Sequence, residues 1–140
     1  MSNPFHHTHW IVPLAAKERE RRKLIDDFKL ASPTFLKTLL AALNADINKY
    51  YQEFPAETVT IHINESGDTI TCSTDLNKAV VRLHSEEQTI SCSFETQENA
   101  NWREPLELTS LGLHCKQLAP EQCAKEFSEN ILKPLLFPAL

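Results

Sequence analysis

Apolar residues recur at helical spacing through the first 54 positions of the chain and at every second position from there to residue 94. The change of period separates a helical part from a sheet part. In the helical part, Leu24, Ile25 and Phe28 lie in the second half of a segment rich in helix formers, which predicts a helix over 13–30. Ser32-Pro33-Thr34 then reads as a new helix start, with Ser32 as the capping residue and Pro33 at the first helical position. A second helix follows over 32–54, carrying Phe35, Leu36, Leu39, Leu40, Leu43, Ile47, Tyr50, Tyr51 and Phe54 until Pro55 ends it. A stripe that wide needs another apolar surface to lie against.

The two-residue period supplies that surface. Val59, Ile61, Ile63, Ile70, Cys72, Ala79, Val81, Leu83, Ile90, Cys92 and Phe94 fall on one parity of four short strands, with turns near 64–68, 74–77 and 85–87. Thr, Ser, His62, Arg82 and His84 occupy the other parity, with Val80 as its apolar exception. Four short strands joined by short turns make an antiparallel meander. Residues 96–104 read as a polar loop, and Leu106 to Leu108 with Leu111 to Cys115 as a fifth strand, Gly112 marking a bulge or kink. A last helix opens at Ala119-Pro120-Glu121 and carries Cys123, Phe127, Ile131 and Leu132 on one face, with Pro134 stopping or kinking it. The expected fold is therefore two-layer α+β: an antiparallel meander of four to five strands, covered by N-terminal helices and a C-terminal helix. Residues 1–12 form an irregular arm whose Phe5, Trp10, Ile11 and Val12 are placed to dock on the body, and 13–140 make a single domain.

Composition adds mainly exclusions. With two glycines in 140 residues the chain has no Gly-rich phosphate loop. No apolar run approaches the ~20 residues of a membrane-spanning helix, and positions 1–10 lack the apolar core of a signal peptide, so a cytoplasmic protein away from the membrane is expected. Four cysteines without paired short spacing argue against both a disulfide framework and a structural zinc site. The net charge of −5 is unevenly spread: residues 1–52 hold eight Lys/Arg against five Asp/Glu, and residues 53–140 hold six against fourteen. An acidic second part repels nucleic-acid backbone. The charged run from Lys17 to Lys23 alternates in sign, as a solvated helix with local ion pairs does. No nucleic-acid partner is expected.

Candidate chemistry is sparse. His6, His7 and His9 are potential metal ligands, but their spacing matches no helix face and no acid or cysteine lies beside them, so no metal or other cofactor is expected. His62, Arg82 and His84 share the polar sheet face without a wall to exclude water. Cys115 adjoins His114, yet neighbours on a strand point to opposite faces. No serine sits in a Gly-flanked elbow. The balance is against an enzyme.

Contact residues are better represented. Trp102 in the polar loop, with Arg103 beside it, either folds back on the core or anchors a partner, and Leu136 and Phe137 of the apolar tail either close the core or bury in a second subunit. The expected function is a non-enzymatic protein-interaction module, as a homodimer or with another protein. The alternative is a small apolar ligand held between sheet and helices and oriented by Tyr50, Tyr51 and His114.

Overall fold

The computed structural model describes residues 9–140. The expectations on Phe5, His6, His7 and most of the arm lie outside those residues. Helix α1 spans Ile11–Glu53, followed by strands β1 (Thr60–Ile63), β2 (Thr69–Ser73), β3 (Lys78–His84) and β4 (Thr89–Phe94). A 3₁₀ turn at Glu98–Ala100 leads to β5 (Trp102–Pro105), then β6 (Glu107–Thr109), β7 (Gly112–His114) and helix α2 (Pro120–Leu136). Strands β1 to β5 form one antiparallel meander in chain order, and β6 and β7 a separate two-stranded ribbon. The α+β, helix-covered meander is the fold predicted from the two periods.

One helix replaces the two expected at the N-terminal end. Pro33 lies inside α1 rather than at a helix start, and Ser32 is buried rather than capping. The reason is the apolar stripe, which does not reset at the proline. Ile25, Phe28, Ser32, Phe35, Leu36, Leu39, Leu43 and Ile47 are buried in one helical sequence on both sides of it. Pro33 removes the hydrogen bond to the Lys29 carbonyl, but it sits on the exposed side, where water reaches the freed group. Ser32 Oγ donates to the Phe28 carbonyl at 2.8 Å, adding a bond just before the gap. Continuous burial thus outweighs a local break signal worth about 3 kcal/mol. Pro33→Ala is expected to raise stability by about 1–3 kcal/mol in a denaturant titration, because it restores the bond without touching the core; a loss of stability would show that α1 requires its proline.

No residue of α1 before Ile25 is buried, and Trp10, Ile11, Val12 and Leu24 are all about half exposed or more, so this end projects past the core instead of docking. Within it, Arg21 and Arg22 both donate to the Glu18 carboxylate. Those hydrogen bonds hold the Glu18 pKa down at about 2. The ion pairs are solvent-exposed, as the alternating charge run predicts.

The sheet parity is as expected. Ile70, Cys72, Ala79, Val81, Leu83, Ile90, Cys92 and Phe94 are buried on one face, with Ile61 and Ile63 half-buried on edge strand β1. Burial pushes the Cys72 and Cys92 thiols up to about 12, which keeps them in the unreactive thiol form.

The fifth strand lies elsewhere than expected. It is Trp102–Pro105, which begins inside the stretch that reads as a polar loop and runs one residue past it, and Leu106 to Cys115 instead supply the β6–β7 ribbon. Only Trp102 of β5 turns a large apolar side chain to the core, so the strand has no visible alternation. Asn101 Oδ1 accepts from the Phe94 N–H at 2.7 Å and docks the start of β5 on the end of β4. Gly112 begins β7 with φ +111°, a backbone state that closes the ribbon's turn and that side-chain-bearing residues rarely adopt. Helix α2 starts on Pro120 and carries Pro134 within its last turn, where few further bonds are lost.

The helices pack on each other, α1 also against the β6–β7 ribbon and α2 against β3 and β7, and their buried residues form one core with the apolar sheet face. Phe127 of α2 packs edge-on to Phe35 of α1 at 6.1 Å between centroids and stacks on Trp102 of β5 at 5.4 Å and 7°. One ring therefore joins α1, α2 and the sheet edge.

Candidate functional site

On the side of the helical layer away from the sheet, α1 and α2 do not close against each other. The facing positions of α1 are Thr38, Ala41, Ala42 and Ala45, whose short side chains leave an open groove of about 950 Å³. Leu132 and Leu136 of α2 form the opposing wall. Tyr50, Phe54 and Phe137 cluster at one end, with centroid separations of 4.9, 5.6 and 6.2 Å. Burial, with a smaller contribution from the nearby Glu57 carboxylate, pushes the Tyr50 phenol above its ordinary range, so it stays neutral at physiological pH.

Charges stand on the rim. Lys49 and Glu53 come from α1, and Glu121, Lys125, Glu129 and Lys133 from α2. Asp46 is the polar exception deeper in, where it accepts a 2.7 Å hydrogen bond from Ser128 Oγ and ties the two helices together. An apolar floor between mixed charged rims accepts an apolar surface and rejects a strongly charged one.

The expected contact residues separate into five places. Tyr50, Leu136 and Phe137 meet in the groove. Tyr51 does not join them: its hydroxyl accepts from the Val59 N–H at 2.9 Å and donates to the Val59 carbonyl at 3.0 Å, which clamps the approach to β1. His114 is buried at the end of β7. Trp102 folds back onto Phe127, while Arg103, the next residue along the strand, emerges on the opposite sheet face. The groove also recruits Ala41, Ala42 and Ala45, which the reading of the sequence passes over. Their signal was the 41–45 spacing, which puts two small residues one turn apart on one face.

Two other candidates resolve simply. Cys115 and Cys123 approach to 3.3 Å between sulfurs, both buried, and the Cys115 thiol is pushed up to about 12, chiefly by burial. Among the described residues no group of three or more His, Cys, Asp or Glu side chains is arranged to hold a metal ion, and no helix is long and apolar enough to cross a membrane. Comparison of the chain with family models, with curated proteins and with solved structures found no match in any of the three, so the geometry alone bears on function.

Proposed function

We propose that this chain is a protein-interaction module whose α1–α2 groove receives an apolar helical segment of a partner, from a second copy or from another protein. The groove itself carries the proposal. It is open between two helices, its floor is largely alanine, and its charges stand on the rim apart from Asp46, which is held by Ser128. Amphipathic helices bind in this way, with apolar side chains every three or four residues filling a groove and charged flanks matching its rims. Alanine on the floor permits close backbone approach.

A photo-reactive side chain at position 41 or 45 is the direct test. The expected outcome is a protein cross-link mapping to an amphipathic helix, and sedimentation at high micromolar concentration tells a second copy from another chain. Absence of any protein cross-link overturns the proposal. Ala45→Arg, at an exposed position, is expected to weaken partner binding at least tenfold, about 1.4 kcal/mol, while leaving the melting temperature unchanged. A second proposal rests on the aromatic end: Tyr50, Phe54 and Phe137 suit a small apolar ligand with one polar group. A co-purifying small molecule in native mass spectrometry, lost in Phe137→Ala, would favour it over a protein occupant.

A further inference from the structure

The sheet face turned away from the helices holds a second concavity, of about 470 Å³, lined chiefly by Arg82, His84, Ser91, Ser93, Asn101 and Arg103. Strand register aligns Thr69, Arg82, Ser91 and Arg103 in one row across β2, β3, β4 and β5. The two arginines therefore flank Ser91, one strand away on either side. His84 Nε2 lies 2.7 Å from Ser91 Oγ. Where that imidazole nitrogen carries the proton and donates, the Ser91 hydroxyl keeps its own proton for a ligand.

Three facts single the row out from an ordinary solvated sheet face. Residues 53–140 hold fourteen acidic side chains and only two arginines, and they are these two. No residue lining the concavity is acidic. Among the described residues neither guanidinium has a carboxylate within 4.0 Å. Two cations set about 10 Å apart across β4 both attract an anion placed between them.

The donor count sets the class of anion. Two guanidinium forks and the Ser91 hydroxyl offer about five hydrogen bonds, with the His84 N–H spent on orienting that hydroxyl. A carboxylate has two oxygens and one charge. A phosphate monoester has three terminal oxygens and a charge near −2 at neutral pH, which matches both the donors and the two arginines. We infer that the Arg82–Ser91–Arg103 row, supported by His84, is a binding site for a phosphate monoester group. The site is separate from the α1–α2 groove and stands or falls independently of it.

An amide NMR titration at constant ionic strength tests it, with inorganic phosphate and O-phosphoserine as probes and succinate as a carboxylate control. The expected result is saturable shifts centred on Arg82, Ser91 and Arg103, with succinate at least tenfold weaker. Arg82→Ala and Arg103→Ala, both at exposed positions, are each expected to weaken phosphoserine binding at least tenfold, with the remaining amides unmoved. Arg19→Ala, on the projecting end of α1, is expected to change nothing. A short phosphoserine peptide that binds more tightly than free phosphoserine assigns the group to a protein, and equal affinities assign it to a small molecule. Shifts spread over Arg19 to Lys23, equal binding of succinate, or unchanged affinity in the two alanine variants overturns the inference.

Discussion

Phe127→Ala is expected to lose about 3–5 kcal/mol of stability, the largest effect of a single substitution in this molecule. The ring is buried, stacks on Trp102 and meets Phe35 edge-on. Its removal leaves a cavity at the junction of α1, α2 and β5, and none of the three elements can collapse into it without shifting the other two. The aromatic pairing adds to the area term. Fluorescence gives a second readout. Trp10 is about half exposed, so in a Trp10→Phe background the emission reports Trp102 alone, and Phe127→Ala is expected to alter it in the folded state. A stability change under about 1 kcal/mol would falsify the proposed packing.

Leu43→Ala is expected to cost about 2–5 kcal/mol. Leu43 is wholly buried in the core that α1 shares with the sheet and α2, two positions before the groove-lining Ala45. Leu24→Ala makes the matched comparison, since Leu24 is about half exposed on the projecting end and its truncation is expected to cost less than about 0.5 kcal/mol. Equal costs at the two sites would mean that α1 does not lie as described. Denaturant titration of both variants decides this, and the slopes should match, because neither substitution changes how much surface unfolding exposes.

How legible this fold is depends on how many residues carry each signal. The sheet parity rests on eleven positions, each alternating with a polar neighbour, so no single exception such as Val80 obscures it. The break at Pro33 rests on one residue, and the stripe from Ile25 to Ile47 overrides it through contacts that come from α2 and the sheet. Strand β5 is hidden for the opposite reason. It has four residues and one core side chain, and it is placed by its backbone ladder to β4 and by the Asn101 bond to Phe94, which no periodicity reports. The candidate site follows the same rule. Tyr50, Leu136 and Phe137 are visible as apolar residues near element ends, but their convergence depends on how α2 lies along α1. Arg82 and Arg103 are twenty-one positions apart and become neighbours of Ser91 only through register.

The helical layer is drawn from opposite ends of the described chain, with the meander between them. The sheet closes through consecutive hairpins and can form early, because each contact spans few residues. The hydrogen bond between Asp46 and Ser128 spans 82 residues, and the groove it underlies has no second wall until α2 has been synthesised and has docked. Until then the apolar face of the sheet is only half covered, and such surface invites aggregation or chaperone capture. On the proposed function, recognition through the groove would be conditional on completed folding, and a partner would select finished molecules over nascent ones.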